Sequence, residues 1–238
     1  MKPLKIKVCG ITQKENMLEI AALLPDYMGF IFFENSPRDV SDKIDGLQLN
    51  ELPVSIKKVS VFVNKTLEEA EKIIRRYAFD TVQLHGDESP EYCKKLQEIV
   101  PVIKAFGITN KLPDELVVYK DCCDYFLFDT RGKNAGGTGI AFDHNILKDY
   151  NLDKTFFLAG GIGPEHAQDD TFRKVITHPS LHALDINSRF ETSPGIKDVD
   201  LIEKFILEKD RRRKLMTIVR SSESQRRFGN QKPGNRER

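Results

Sequence analysis

The chain has 238 residues, room for one large domain or two small ones, and its 39% apolar content excludes wholesale disorder. No apolar run approaches the roughly 20 residues of a membrane span, and the N-terminus enters an apolar, β-like segment with no small-residue cleavage site, so neither a membrane segment nor a signal peptide is expected. The net charge of +1 is uneven: Lys209 to Arg238 carry 11 Lys and Arg against 3 Asp and Glu, a net of +8, which leaves the rest at −7. Such a mildly acidic body is not built to bind nucleic acid.

Short apolar runs alternate with amphipathic stretches eight times. The runs are Ile6–Cys9, Met28–Phe33, Val59–Val63, Thr81–His85, Val102–Phe106, Tyr125–Asp129, Phe156–Gly160 and Leu181–Ile186. Most are almost continuously apolar, as strands buried on both faces should be. Thr12 and Glu15 spell a capping box ahead of Met17, Ile20, Ala21 and Leu24, and Thr66 and Glu69 spell another ahead of Leu67, Ala70, Ile74 and Tyr77. Ser89-Pro90 and Gly163-Pro164 place proline at a first helical position, and Val199, Ile202, Phe205 and Ile206 form a last apolar stripe. The stretches after Phe33 and Phe106 carry weaker helix signals, and Pro113 interrupts the second.

Eight β-then-α units in residues 1–208 predict a single-domain (β/α)8 TIM barrel. A doubly wound open sheet competes, but it would place its phosphate glycines after the first strand; here Gly10 stands alone there, and Gly160-Gly161 follow the seventh. Residues 209–238, with Arg211, Arg212 and Arg213 and a Ser/Gly/Asn/Arg-rich end, read as a basic tail that prolongs the last helix briefly and is then disordered. The four cysteines, at 9, 93, 122 and 123, have no C-x-x-C spacing, which argues against disulfides or a zinc site and for a cytoplasmic location.

Barrel enzymes gather their chemistry at the C-terminal ends of strands. Cys9 stands at such an end, where the alternatives are a reactive thiol and a buried structural one. Asp129 closes the apolar run Tyr125-Phe126-Leu127-Phe128, which should desolvate it and suit it to deliver a proton; a helix cap or a partner for Arg131 is the plainer role. Arg38 follows the stiff turn at Pro37, and its planar guanidinium suits a carboxylate, if it is not a solvated surface group. His85 and Asp185 are further candidates for substrate contact, although His85 could equally fill a polar layer of the barrel. Gly160 and Gly161, leading into a helix start, together with Asn187 and Ser188 after the eighth strand, make the expected phosphate site. Gly136-Gly137-Thr138-Gly139 reads as a flexible lid, and Cys93, Cys122 and Cys123 as packing residues.

In order along the chain, Lys7-Val8-Cys9-Gly10-Ile11-Thr12, Ser36-Pro37-Arg38, Val82-Gln83-Leu84-His85-Gly86, Phe128-Asp129, Gly136-Gly137-Thr138-Gly139, Leu158-Ala159-Gly160-Gly161-Ile162 and Pro194-Gly195-Ile196-Lys197-Asp198 together resemble the phosphoribosylanthranilate isomerase family of tryptophan biosynthesis. The resemblance implies an Amadori rearrangement of a phosphorylated aminoaldose to an aminoketose. It implies Asp129 as the acid that opens the sugar ring and Cys9 as the base at the neighbouring carbon. It also implies Arg38 as the holder of the anthranilate carboxylate, with no metal or organic cofactor. The expected partner is a small phosphorylated substrate, with neither nucleic acid nor membrane, and the assembly a monomer or homodimer. Two departures stand out: Asn187-Ser188-Arg189-Phe190-Glu191 replaces the family's common Ser-Ser-Gly-Val-Glu, where Arg189 could compensate by charge, and His144 stands where tryptophan is common. Two rival readings are another phosphate-binding barrel, such as a sugar-phosphate epimerase or indole-glycerol-phosphate synthase, and a non-enzymatic scaffold whose tail docks on RNA or a partner. The synthase would be expected to use lysine and glutamate at its strand ends.

Overall fold

The computed structural model describes residues 4–130, 144–169, 172 and 175–209. Eight parallel strands, β1 (Lys5–Cys9), β2 (Tyr27–Phe32), β3 (Lys57–Phe62), β4 (Thr81–Leu84), β5 (Val102–Ile108), β6 (Tyr125–Thr130), β7 (Phe156–Leu158) and β8 (Leu181–Ile186), close into a barrel, β8 pairing with β1. Closure excludes the open doubly wound sheet, and each expected apolar run is a strand.

Alternate side chains of a strand point to opposite faces, so each strand feeds two packed regions. Ile6, Val8, Phe30, Leu84, Phe128 and Leu184 belong to the outer core, between the strands and the helices and loops around them. The other face encloses a second cluster, including Cys9, Tyr27, Val61, Ala105, Leu127, Phe157, Ala159 and Ala183. Tyr27, Tyr125, Phe157 and His182, with ring centroids 4.6–5.9 Å apart, plug the end at which the strands begin. Above this plug the interior side chains are small, and the space admits the long polar chains of Gln83 and of Lys7, the latter beside Asp185.

Local signals fix some of the surrounding helices. In α3 (Leu67–Tyr77) the Thr66 hydroxyl accepts from the Glu69 amide, and the Glu69 carboxylate accepts from the Thr66 amide, completing the expected capping box. Helix α4 (Pro90–Gln97) starts with Ser89 as cap and Pro90 in its first turn. The weak stretches after β2 and β5 yield only the one-turn helices α2 (Ile44–Leu47) and α5 (Leu116–Tyr119). Residues 199–209 are helical, and the Lys209 ammonium donates to the Leu4 carbonyl at 3.0 Å.

Two expectations need correction. Helix α1 (Lys14–Ala22) has Gln13 at its cap, with no side-chain hydrogen bond, so Thr12 and Glu15 form no capping box. The Thr12 hydroxyl and amide both donate instead to the Gly195 carbonyl, tying the loop after β1 to a hairpin of β9 (Glu191–Ser193) and β10 (Ile196–Lys197). Strand β7 stops at Leu158 rather than Gly160, because Gly160 and Gly161 take φ of +80° and +67°. At the Gly163-Pro164 start the chain takes a 3-10 turn, Pro164–Ala167, and residues 172, 175 and 176 beyond it are helical. Arg131, the Gly136–Gly139 segment, the His144 side chain and the tail beyond residue 209 lie outside the described residues.

Candidate active site

Strand β1 carries Lys7 and Cys9 into the barrel on the same face, then turns away at Gly10, whose φ is +78°. Lys7 is fully enclosed, and its ammonium donates to Asp185 Oδ2 at 2.7 Å. These two residues are register partners on adjacent strands. Cys9 is 4% exposed. Burial pushes its thiol up from the ordinary range, while the Lys7 ammonium pulls it down without fully compensating. Gly29 on β2 leaves room for both groups: a Cβ there would lie 2.7 Å from Cys9 Sγ and 3.1 Å from Lys7 Nζ. Asp185 is raised, because its burial outweighs the Lys7 charge, and its Oδ1 has no hydrogen-bond partner among the described residues.

On the opposite side of the barrel mouth, β6 presents Asp129. It is about a quarter exposed (26%), so the enclosed carboxyl expected from its apolar run is not found; the hydrophobic residues before it are buried, and the strand end itself opens at the mouth. Asp129 Oδ1 accepts from the Thr130 amide at 2.7 Å, and Oδ2 lies 3.3 Å from His85 Nε2. His85 Nδ1 is 2.9 Å from the Gln83 amide nitrogen. The loop that carries His85 is pinned by the Glu88 carboxylate, which accepts from the Gly86 and Asn64 amides and from the buried Lys104 ammonium. Asp129 and His85 both act electrostatically on Asp185.

Arg38 is not a loose surface guanidinium. Its Nε and Nη2 donate to Glu191 at 2.6–3.1 Å, and its side chain is 10% exposed. Glu191 also accepts from Lys197 at 2.6 Å, and the same ammonium donates to Asn187 Oδ1 at 2.7 Å. Burial lowers Lys197 to about 8 despite Glu191. A Cβ on Gly10 would lie 2.7 Å from Arg38 Cδ and 2.8 Å from Asn187 Oδ1, so this network abuts the turn after Cys9.

The expected phosphate loops also meet. A Cβ on Gly160 would collide with the Thr130 backbone and stand 2.8 Å from Asp129 Oδ1. Arg189 Nη1 reaches the Gly161 carbonyl at 3.4 Å and Glu165 Oε1 at 2.9 Å, and Ser188 opens the 3-10 turn Ser188–Phe190. The structure thus assembles Cys9, Asp129, His85 and Asp185 around one mouth, with Arg38 and the two loops expected to hold phosphate at its rim. Lys7, Gln83, Glu191 and Lys197 also belong to this assembly, but motif spacing gave them no role. The available signals were a lysine two residues before Cys9, hence on the same face, and the Glu and Lys inside matched segments. Among the described residues no group of three or more His, Cys, Asp or Glu could hold a metal ion, and no helix is long and apolar enough to cross a membrane.

The profile of the N-(5'-phosphoribosyl)anthranilate isomerases matches residues 6–208. The chain belongs to the N-(5'-phosphoribosyl)anthranilate isomerase family. The isomerase of Parabacteroides distasonis is 44% identical over 205 residues, covering 84% of this chain and 91% of the relative. The crystal structure of the phosphoribosylanthranilate isomerase from Thermotoga maritima superposes with a TM-score of 0.75 at 31% identity, covering 87% of this chain and 99% of the other. A phosphoribosylanthranilate isomerase in complex with reduced 1-(o-carboxyphenylamino)-1-deoxyribulose 5-phosphate matches at 30% identity and a TM-score of 0.73, with 87% and 99% covered.

Proposed function

We propose that this chain isomerises N-(5'-phosphoribosyl)anthranilate to 1-(2-carboxyphenylamino)-1-deoxyribulose 5-phosphate in tryptophan biosynthesis, with Cys9 as base and Asp129 as acid. The observation that carries this reading is the placement of a buried thiol and a partly exposed carboxyl on opposite sides of one barrel mouth, flanked by two glycine- and polar-lined loops. Asp129 gives a proton to the furanose oxygen, the bond from that oxygen to C1 breaks, and the anthranilate nitrogen lone pair forms the C1–N Schiff base. The Cys9 thiolate then removes the C2 proton, and those electrons form the C1–C2 double bond of an enolamine. Transfer of the C2 hydroxyl proton to solvent and of one proton to C1 gives the ketone. Two protons are added, at the ring oxygen and C1, and two are removed, from C2 and its hydroxyl, so the reaction is redox-neutral overall and calls for no external oxidant or reductant.

Arg38 would take the anthranilate carboxylate through Nη1, the nitrogen that Glu191 does not engage. Gly160, Gly161, Asn187 and Ser188 would surround the phosphate, and Arg189 supplies a cation where the family's common sequence has glycine. His85 and Asp185 would face the sugar. That a relative binds the reduced product analogue supports the same pocket chemistry. Fluorescence assay of phosphoribosylanthranilate consumption tests the reading: Cys9→Ala should nearly abolish turnover, and Asp129→Asn should lower kcat by at least about 10²-fold. Near-normal turnover in Cys9→Ala would remove the proposed mechanism.

A further inference from the structure

We propose that Lys7 is a positioning residue that holds the Cys9 thiolate ready to take a proton, while Asp185 fixes the Lys7 ammonium in place. This rests on the reading of Cys9 as the base. Both residues project into the barrel from β1, and their heads converge on the space left by Gly29 of the neighbouring strand, 2.7 Å and 3.1 Å from its would-be Cβ. Lys7 has no exposed surface, and Asp185 holds it at 2.7 Å. A lysine buried only for packing would be better replaced by an apolar chain of its length, since desolvating an ion pair costs as much as its attraction returns. A fixed cation beside a buried thiol does have a use, because it opposes the desolvation that disfavours the thiolate. The other charged groups around Cys9 are few. From β10, Lys197 also favours the thiolate, whereas Asp185 on β8 opposes it. Asp129 and His85 act on Asp185 from across the mouth, and Arg38 lies beyond Gly10 on the loop after β2.

The test is the pH titration of the Cys9 thiolate by ultraviolet absorbance, taken as a difference against Cys9→Ala in each background so that the other three cysteines cancel. Iodoacetamide alkylation of the Cys9 peptide gives an independent rate. Lys7→Met should move the titration upward by about 1–3 pH units and slow alkylation at neutral pH at least about tenfold. Lys7→Arg should recover part of both. Asp185→Asn should move the titration downward, because it removes an anion and leaves the cation. A purely structural role for Lys7 predicts no such opposed pair of shifts. A folded Lys7→Met protein whose Cys9 titrates as in the parent overturns the proposal, as would shifts of the same sign in both variants. Should Lys7→Met fail to fold with Asp185 left unpaired, Lys7→Met/Asp185→Asn carries no orphan charge. It should titrate above the Asp185→Asn single variant, and equality of the two overturns the proposal. Thiol titration does not depend on turnover. An active Cys9→Ala enzyme would therefore sink the assignment of the base, whereas an inactive one with an unmoved Lys7→Met titration would sink this proposal alone.

Discussion

Arg38 and Glu191 meet through a forked contact, Nε and Nη2 against both carboxylate oxygens, across 153 residues of sequence. The pair is nearly enclosed, and Lys197 completes it from the other side. Glu191 therefore fixes the plane of the guanidinium and leaves Nη1 unengaged by this pair, the nitrogen proposed to take the substrate carboxylate. The cluster of Arg38, Lys197 and Glu191 is net positive, since one carboxylate faces two cations.

The first prediction follows from that geometry. Arg38→Ala should raise KM for the anthranilate substrate by at least about 30-fold, because truncating one partner of a desolvated charge pair costs on the order of 2–5 kcal/mol. Arg38→Lys keeps the charge but not the fork, so it should recover stability better than KM. An unchanged KM in folded Arg38→Ala would take this residue out of substrate binding.

Glu191 should also mark the acid limb of stability. Burial alone would raise its pKa, but the hydrogen bond from Arg38 and the charge of Lys197 outweigh it and hold the carboxyl below its ordinary value. The unfolded chain then takes up this proton before the folded one as pH falls. The contribution is complete above the ordinary glutamate pKa, about 4.3, and is lost as pH descends through the lower folded value. Lys197 runs in the opposite sense: it is lowered to about 8, so the fold gains stability as pH rises from there toward the ordinary lysine value of about 10.4. Urea unfolding across pH should show a shallower acid slope in Glu191→Gln and a shallower alkaline slope in Lys197→Met; parallel curves would contradict both assignments.

Gly29 offers a steric test of the thiol's position. Its Cβ would press on Cys9 Sγ at 2.7 Å and approach Lys7 Nζ at 3.1 Å, deep in a packed interior. Gly29→Ala should cost about 1–3 kcal/mol by overpacking, and should lower kcat more than the loss of folded protein explains, because the thiol must swing aside. Normal kcat per folded molecule would show that Cys9 can move without consequence.

Much of this organisation is legible in one dimension. Continuous apolar runs announce strands covered on both faces, and Thr66 with Glu69 or Ser89 with Pro90 announces helix starts from local chemistry alone. Thr12 shows where that stops: its hydroxyl is claimed by Gly195, 183 residues away, and a tertiary contact overrides the local cap. Cys9, Asp129 and His85 stand out as candidates because barrels place chemistry at strand ends. Lys7 cannot be found that way. A lysine in a strand reads as solvent-facing until closure sets it opposite Asp185, and Glu191 and Lys197 gain meaning only once the hairpin folds back over Arg38.

The proposed acid, Asp129, has one imidazole beside it, and a last prediction turns on that neighbour. The Gln83 amide nitrogen lies 2.9 Å from His85 Nδ1; with the amide so oriented Nδ1 accepts and the ring proton sits on Nε2, 3.3 Å from Asp129 Oδ2. The Thr130 amide donates to the other oxygen. To act as an acid Asp129 must be protonated, and His85 is the adjacent group that can pass a proton to it. The opposite amide orientation would let the buried Gln83 Oε1, unpartnered as it stands, accept from Nδ1–H of an imidazolium. Rotation of the one amide would thus accompany loading of the ring. His85→Ala should lower kcat about tenfold or more, short of the effect of removing the acid itself, and should move KM less than kcat. Gln83→Leu should lower kcat in the same direction but to a smaller extent, with little cost in stability, since the contact it loses with His85 is offset by removal of a buried oxygen that has no partner. Full kcat in His85→Ala across the neutral range would show that solvent alone protonates Asp129.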